Sequence, residues 1–592
     1  MRSSIGLFRC AAVALLAAAS ALAQVPRFAF TVTPQSGLHK FDVSLRCTGL
    51  DRAVEEFEMP AWMPGYYRIM DYARLVSNFR VQDGAGRALG WEQVTPHTWR
   101  VVSGHAPVVV VSYEVAPSRP FVADNSLDAA GAFIAPPGMF VYLPDQLARA
   151  VTVTIQMPPA WHRIASGLAP VADHPDTFTA RNFDLLFDSP FLLGNEELLH
   201  FEVDGRLHTI AIEDVPASVS RAKILADLKR IVEAATGMMG VVPYSRYTFL
   251  LMGRGNGGIE HLTSAAIAFN GQDLTTPAGY EGWLSYVAHE YFHTFNVKRI
   301  RPLALGPFDY ESENLTHMLW VSEGLTVYYE DLLLVRAGLI SSDQYLATLS
   351  GEINRFESEP GRPYESATES SWSTWSSVYG GRSDRNTTIS YYDNGAMLGA
   401  ILDLAIRHAS HGARSLDDVM RSLYRTYYLR DQRGFTDAEF RAACEAAAGQ
   451  SLAQVFSYAS TTAPMDYGKY FGYAGLGVSM TTGPDSGTTL GLDTDPDPSG
   501  GLRIHGVAPG SPAAGAGLQP GDRILTPGTS KGLSELLATD QPGGAITLVV
   551  QAGGAHRTVQ LTVASRERHT YHLQRLDHPS ALQAEILRDW LR

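Results

Sequence analysis

One segment of the chain reads His289-Glu290-Tyr291-Phe292-His293. It lies in a predicted helix, residues 281–296, that contains no proline. Positions i and i+4 of a helix share one face, so the two imidazoles can bind one zinc ion. The glutamate between them can act as a general base on a zinc-bound water without being a ligand. Bulky neighbours, Ala288, Phe292 and Phe295, argue against a solvated helix face.

A catalytic zinc site needs a third protein ligand and one open position. The next predicted helix, residues 322–337, begins with Glu323 in an otherwise apolar segment, where an unpaired carboxylate would be costly to bury. We therefore predict that His289, His293 and Glu323 bind one Zn²⁺ per chain and that Glu290 is the base. The competing candidates for the third ligand, of which the first three lie in a polar, loop-like stretch, are Asp309, Glu311, Glu313, His317 and Glu330.

Two phenols precede another predicted helix, residues 395–408. They belong to the segment Ser390-Tyr391-Tyr392-Asp393-Asn394-Gly395. Attack of an activated water on a carbonyl builds an oxyanion that needs a hydrogen-bond donor, and a tyrosine hydroxyl can supply it. On chemistry alone Tyr391 and Tyr392 are equal candidates, and a packing role for both is the alternative.

The bulk composition is that of a soluble protein with several domains. The 592 residues exceed what one hydrophobic core usually serves. A net charge of −14 disfavours nucleic acid as a partner. Residues 1–23 have the pattern of a signal peptide, so we expect export to the periplasm or the medium, and no later apolar run predicts a membrane span. Cys47 and Cys444 are expected to be unpaired, buried thiols.

The spacing of apolar residues changes along the chain. Period-two alternation in the first part predicts an antiparallel β-sandwich. Helical spacing then follows, with a short strand at residues 247–252, and predicts an α+β domain. The last part is rich in glycine and proline and has short predicted strands. The predicted divisions are a signal peptide at 1–23, a β-sandwich at 24–203, an α+β domain at 204–468, a small domain at 469–566 and a tail at 567–592 that is helical from Ser580.

The metal motif extends into longer segments that resemble a known family. These segments are residues 289–302 and Leu319-Trp320-Val321-Ser322-Glu323-Gly324-Leu325-Thr326-Val327-Tyr328-Tyr329. They resemble the M61 peptidases, the glycyl aminopeptidases, which have a thermolysin-like catalytic domain. Pro60-Ala61-Trp62-Met63-Pro64-Gly65-Tyr66 resembles the N-terminal domain of the same family. The resemblance implies a β domain, a catalytic domain and a PDZ domain in that order, and it implies the zinc ligands and base given above.

The related M1 aminopeptidases extend the resemblance to the substrate site. Their Tyr-x-Lys-Gly segment, whose tyrosine stabilises the transition state, is similar to Tyr392-Asp393-Asn394-Gly395, so the resemblance favours Tyr392 and leaves Tyr391 as second choice. Their Gly-x-Met-Glu-Asn loop resembles Gly257-Gly258-Ile259-Glu260-His261. It implies substrate binding by Gly257, Gly258, Glu260 and His261. A carboxylate beside the metal would fix an N-terminal ammonium and make the enzyme an exopeptidase.

Residues 510–525 resemble the core of bacterial PDZ domains. In that reading the carboxylate-binding loop, whose N–H groups would meet a peptide C-terminus, is Gly475-Leu476-Gly477-Val478. Nearby, Asp493, Asp495 and Asp497 do not make a calcium loop of the EF-hand type, because Pro498 stands where glycine is needed.

The sequence therefore predicts a zinc aminopeptidase that acts on peptides. A preference for N-terminal Gly or Ala is implied only by the family resemblance. Two alternatives remain open. The first is an endopeptidase with the same zinc chemistry that receives protein tails through the PDZ domain. The second is a peptide-binding protein without activity, which the intact set of ligands and base disfavours.

Overall fold

The computed structural model describes residues 27–376, 384–539 and 541–592. The predicted signal peptide lies outside these residues. Within them, helices that combine the length and the apolar character of a membrane span are absent. The chain forms a β-rich N-terminal part, a central part of mixed sheet and helices, and a small β-rich C-terminal part.

The N-terminal part contains sheets of seven, four and three strands. Along the strand Lys40–Thr48 apolar side chains are buried at every second position, as a strand with one face on the core requires. The large sheet is not purely antiparallel, as the sequence predicted, because Arg27–Gln35 and Val151–Ile155 pair in parallel. The elements of this part are β1 (Arg27–Gln35), β2 (Lys40–Thr48), β3 (Val54–Glu58), β4 (Val76–Asp83), β5 (Gly90–Thr95), β6 (Thr98–Val102), β7 (Val108–Val115), β8 (Ser126–Leu127), β9 (Ala132–Ile134), β10 (Val151–Ile155), β11 (Arg163–Ser166), β12 (Pro170–Val171), β13 (His174–Ala180), α1 (Phe183–Phe187) and β14 (Phe191–Gly194).

The central part begins with a hairpin that the predicted boundary at residue 203 divides. Glu197–Val203 pairs antiparallel with Arg206–Glu213, and both strands belong to the central five-stranded sheet. Alternating apolar residues cannot show which sheet a strand joins, so the boundary was placed one strand late. The elements of this part are β15 (Glu197–Val203), β16 (Arg206–Glu213), α2 (Arg221–Met239), β17 (Arg246–Met252), β18 (Gly257–Glu260), β19 (Ser264–Ala268), α3 (Pro277–Phe292), α4 (Leu325–Arg336), α5 (Ser342–Glu357), α6 (Ala367–Ser373), α7 (Tyr391–Ala409), α8 (Leu416–Leu423), α9 (Asp437–Ala448), α10 (Ala453–Ser460) and α11 (Tyr467–Gly472).

The C-terminal part has a two-stranded ribbon and a five-stranded sheet with its own apolar core. The predicted tail helix begins after Ser580, which caps it with a capping box, and packs Trp590 into the central core. Cys47 and Cys444 are buried free thiols. The elements of this part are β20 (Leu476–Thr489), β21 (Leu492–Pro496), β22 (Leu502–Val507), α12 (Pro512–Gly515), β23 (Arg523–Thr526), α13 (Ser530–Thr539), β24 (Ala545–Ala552), β25 (Ala555–Thr562), β26 (Ala564–Arg575) and α14 (Ala581–Trp590).

The structure places the predicted carboxylate-binding loop away from the five-stranded sheet. Gly475 ends a helical turn, and Leu476, Gly477 and Val478 pair with β26 in the ribbon. Leu476 is buried in the core of the central part, because its apolar side chain packs there rather than beside the C-terminal sheet. These N–H groups therefore do not form an open loop at the edge of that sheet, and the prediction for residues 475–478 is wrong.

Candidate metal centre

Helix α3 carries the two histidines of the motif. It starts after Thr276, whose hydroxyl accepts a hydrogen bond from the Gly279 N–H, and Pro277 occupies its first turn. This cap places the start of the helix four residues earlier than predicted, and its last residue is Phe292. His289 and His293 are therefore adjacent on one face, and both are buried.

Three donor atoms converge at this face. The Nε2 atoms of His289 and His293 are 3.0 Å apart. Oε2 of Glu323 lies 3.1 Å from Nε2 of His293 and 3.7 Å from Nε2 of His289. Glu323 is 2% exposed, and although its burial opposes ionisation, the two imidazoles lower its pKa. The structure thus brings together the three ligands that the sequence predicted.

The outer nitrogens of both imidazoles are held by acceptors. His289 Nδ1 lies 2.7 Å from Oε2 of Glu330, and His293 Nδ1 lies 2.6 Å from the carbonyl oxygen of Asn296. A carboxylate and a carbonyl can only accept, so each Nδ1 carries the proton and a neutral ring has a bare lone pair at Nε2. Two such lone pairs and a carboxylate facing one point without a proton between them fit a metal cation.

The other candidates for the third ligand lie elsewhere. Glu330 stands behind His289 rather than at the convergence point. Asp309 caps its own loop through the N–H groups of Glu311 and Ser312. His317 stacks on Trp372 with ring centroids 4.4 Å apart. Glu323 is the carboxylate that completes the group with both histidines.

Glu323 is positioned by contacts that the sequence did not reveal. Residues Trp320–Gly324 form a π-helical turn before α4, where the sequence predicted an α-helix from residue 322. The Tyr67 hydroxyl, from the N-terminal part, donates to Oε1 of Glu323 at 3.0 Å. The side-chain amide of Asn296 donates to the carbonyls of Val321 and Ser322, which ties this turn to the end of α3.

Glu290 faces strand β18. Its side chain is buried, and burial raises its pKa to about 8. A Cβ atom placed on Gly258 would lie 2.0 Å from Oε1 of Glu290 and 2.6 Å from the Tyr286 hydroxyl. Glycine at position 258 is therefore what allows the carboxylate of Glu290 to stand against the strand.

Of the four predicted substrate-binding residues, two border the centre and two face away. One carboxylate oxygen of Glu260 lies within 4.8 Å of donor atoms of Glu290 and His293, and Gly258 touches Glu290. His261 instead points to the N-terminal part, where its Nδ1 is 3.2 Å from Oδ1 of Asp188. Successive side chains of a strand point to opposite faces, so Glu260 and His261 cannot both face the metal centre.

Gly257 faces the N-terminal part as well. Its φ angle is +97°, and a Cβ there would lie 2.8 Å from the ring of Phe121. The predicted substrate contact of Gly257 is thus replaced by a packing contact between two parts of the molecule.

The two tyrosines at the start of α7 differ in direction. The Tyr392 ring stacks toward His289, with ring centroids 6.3 Å apart and an interplanar angle of 28°. Tyr391 is buried, and the Thr374 hydroxyl lies 3.4 Å from its hydroxyl. Tyr392 therefore faces the metal centre more directly than Tyr391.

A small cavity of about 30 Å³ lies beside Glu260. Its walls come from both the N-terminal and the central part and are Trp62, Pro64, Gly65, Tyr67, Val297, Lys298, Arg301, Leu305 and Phe308. Gly65 lies directly behind Glu260, because a Cβ on Gly65 would be 2.9 Å from Oε2 of Glu260. Pro64, Lys298, Arg301 and Phe308 also line a cleft of about 640 Å³ on the other side.

Comparison with known proteins assigns the class. Residues 282–398 match the model of the M61 glycyl aminopeptidases, and residues 30–195 match that of the peptidase M61 N-terminal domain. Together with the buried histidines and glutamate, these matches define a metallopeptidase. The chain carries the N-terminal and catalytic domains of peptidase family M61.

Solved structures agree with this assignment. An aminopeptidase N family protein from Idiomarina loihiensis is similar over 95% of this chain and 100% of its own, with 26% sequence identity and a TM-score of 0.82. An M1 zinc metallopeptidase from Deinococcus radiodurans, similar over 74% of this chain and 94% of its own, has 13% identity and a TM-score of 0.47, too low to carry an argument. No curated protein matches the chain.

Proposed function

We propose that this metallopeptidase is a zinc-dependent aminopeptidase that removes small N-terminal residues from peptides. The observation that carries the proposal is the position of Glu260, whose carboxylate lies within 4.8 Å of donor atoms of Glu290 and His293 and is backed by Gly65 of the N-terminal domain.

His289, His293 and Glu323 would hold the metal. Two imidazole nitrogens and one carboxylate oxygen are a usual set for catalytic zinc. When bound, zinc would polarise the scissile carbonyl and lower the pKa of a water molecule. Glu330 and the Asn296 carbonyl would keep the two imidazoles in the tautomer that binds a metal.

The other residues would move protons and hold the substrate. Glu290 would take a proton from the attacking water and pass it to the leaving amine. The Tyr392 hydroxyl would donate a hydrogen bond to the carbonyl oxygen as negative charge develops on it. Glu260 would bind the N-terminal ammonium by a charge-assisted hydrogen bond, which sets the bond that is cut as the first of the chain.

The contact behind Glu260 supports exopeptidase rather than endopeptidase action. Gly65 lies so close to this carboxylate that a substrate chain extending past Glu260 would collide with the N-terminal domain. The 30 Å³ cavity there holds about two water-sized volumes, which suits an alanine methyl but not a leucine side chain. Its aromatic walls, Trp62, Tyr67 and Phe308, pack against one another or their neighbours and cannot easily yield.

Turnover of aminoacyl p-nitroanilides tests this proposal. We expect hydrolysis of the Gly and Ala compounds, little of the Leu compound and none of N-acetyl-Ala p-nitroanilide. A chelator should abolish the activity and zinc should restore it. Glu290→Gln should bind zinc as the wild type does and be inactive. Equal cleavage of blocked and free substrates, or full activity of Glu290→Gln, would refute the proposal.

A second candidate function is the capture of peptides by the C-terminal part. The residues Leu490-Gly491-Leu492 lead into β21, which is an edge strand beside α13. Gly491 has a φ of +73°, and a Cβ there would meet Ser511 at 2.2 Å. An extended peptide can add to such an edge, with its carboxylate at a glycine turn. Fluorescence anisotropy with a peptide as the free acid and as the C-terminal amide tests this; equal affinity for both, or no binding, would contradict it.

A further inference from the structure

A second group of carboxylates lies behind His289. Glu330 and Asp331 belong to α4, and Glu352 belongs to α5, which follows it. One carboxylate oxygen of each lies within 4.8 Å of the others. Asp331 and Glu352 are buried, and Glu330 is partly buried. This group is separate from the three proposed zinc ligands, although Glu330 accepts the hydrogen bond of His289 Nδ1.

The negative charge of this group is poorly compensated. Glu281 acts on Asp331 and Asp393 acts on Glu352, and both add negative charge. Arg355 is the cation that acts on Asp331 and Glu352, but its Nε lies 3.1 Å from Asp393, and its side chain is 59% exposed.

Burial and the neighbouring carboxylates act in the same direction on the pKa values. They raise the pKa of Asp331 to about 7 and raise that of Glu352 well above its usual value. Three carboxylates so close together, with so little positive charge, call for a proton or a cation between them.

A separate observation points to a missing partner. Tyr345 is buried on the same helix as Glu352, and its hydroxyl has no hydrogen-bond partner among the residues that the structure describes. Among the charged groups, Glu352 and then Asp331 act most strongly on this phenol. A buried hydroxyl that faces carboxylates without bonding to them leaves a polar gap, and a cation with its water would fill it. Ser285 donates to Asp331 at 2.8 Å from the opposite helix and closes the other side.

We propose that Glu330, Asp331 and Glu352 bind a hard divalent cation, Ca²⁺ or Mg²⁺, as a second metal site. The ligand atoms are all oxygens, which these cations prefer, whereas the catalytic centre has two imidazole nitrogens. The bound cation would hold Glu330 in place against His289. It would therefore stabilise the packing of α4 and α5 and the catalytic zinc ligand together.

Thermal unfolding of the zinc-loaded protein tests the site. We expect Ca²⁺ or Mg²⁺ at about 1 mM to raise the Tm by a few degrees in a saturable manner, compared with NaCl of equal ionic strength. Glu352→Gln should lose the rise. Asp343→Asn, which removes an exposed carboxylate from the same helix, should keep it. No rise in the wild type, or an equal rise in Glu352→Gln, would overturn the proposal.

Direct binding covers the case in which Glu352→Gln folds poorly. Equilibrium dialysis of the zinc-loaded wild type against radioactive Ca²⁺ should give one bound ion per chain. Asp331→Asn should weaken this binding at least about tenfold, whereas Asp343→Asn should not. Failure of the wild type to bind either cation means that the carboxylates share protons instead, and it leaves the proposed peptidase activity unaffected.

Discussion

Gly258 fixes the position of the proposed base, because its missing side chain leaves room for the carboxylate of Glu290. We predict that Gly258→Ala lowers kcat about 100-fold, since a displacement of about 1 Å at a reacting group is enough for such a loss. Steady-state kinetics on Ala p-nitroanilide, with zinc content measured in parallel, checks this.

The control lies on the helix that carries the histidines. A Cβ at Gly282 meets nothing within 4 Å, so Gly282→Ala should keep full activity and gain up to about 1 kcal/mol of stability. If Gly258→Ala were as active as Gly282→Ala, Glu290 would not be the base.

The two tyrosines of α7 should differ in effect. Because Tyr392 faces His289 and Tyr391 is buried beside Thr374, we predict that Tyr392→Phe lowers kcat about 10²- to 10³-fold with KM little changed. Tyr391→Phe should retain most of the activity. Comparison of kcat and KM for both variants checks this, and the reverse order would assign the role to Tyr391.

At this scale the sequence predicted what depends on local spacing. His289, Glu290 and His293 follow from one helix, and Glu323 follows from the cost of burying a carboxylate. His261 was assigned to the substrate site because the resemblance does not include the alternation of side chains along a strand. Tyr67 could not be foreseen, because its partner Glu323 is 256 positions away in the chain.

At the scale of elements, the π-helical turn of Glu323 crosses α7 through two glycines. A Cβ on Gly395 would lie 2.5 Å from the Trp320 carbonyl oxygen and 2.7 Å from the Cα of Gly324. We predict that Gly395→Ala destabilises the protein by about 1–3 kcal/mol and lowers activity, because it separates Glu323 from Tyr392.

Urea unfolding and the rate with Ala p-nitroanilide check this second prediction about glycine. Gly237→Ala, in the open part of α2, serves as the control and should be neutral or slightly stabilising. A variant Gly395→Ala with wild-type stability and activity would show that the close crossing is not required.

Most helices of the central part were predictable, but their ends were not. The capping box of Thr436 and Glu439 was visible in the sequence and is present. The start of α3 at Pro277 and the π-helical turn at Trp320–Gly324 depend on tertiary contacts. The strand Gly257–Glu260 was assigned to a loop because glycine is rare in strands.

At the scale of the whole molecule, the N-terminal domain completes the metal centre. Tyr67 donates to Glu323, and Gly65 backs Glu260. We predict that Tyr67→Phe weakens metal binding about 10- to 100-fold, as removal of such outer partners of ligands does. Competition with a fluorescent zinc chelator measures this affinity. Tyr72→Phe, a buried tyrosine of the same domain that bonds to a carbonyl far from the metal, is the control, and equal zinc affinity in both variants would contradict the prediction.

The overall division into β-rich and α+β parts was predictable from the change of hydrophobic period. The placement of the carboxylate-binding loop was not, because both Leu476–Val478 and Leu490–Leu492 combine glycine with apolar residues. Only the pairing of strands shows that the first segment joins the ribbon and the second adjoins the C-terminal sheet.

The central claim is that Glu260 makes the enzyme an aminopeptidase. It is tested most directly by mass spectrometry of an Ala-initiated peptide and its N-acetyl form after digestion by the wild type and by Glu260→Gln. We predict that the wild type releases only the first residue of the free peptide and spares the acetylated one. Glu260→Gln should lose most of this activity through KM while its zinc content is unchanged. Internal cleavage of both peptides by the wild type would contradict the account.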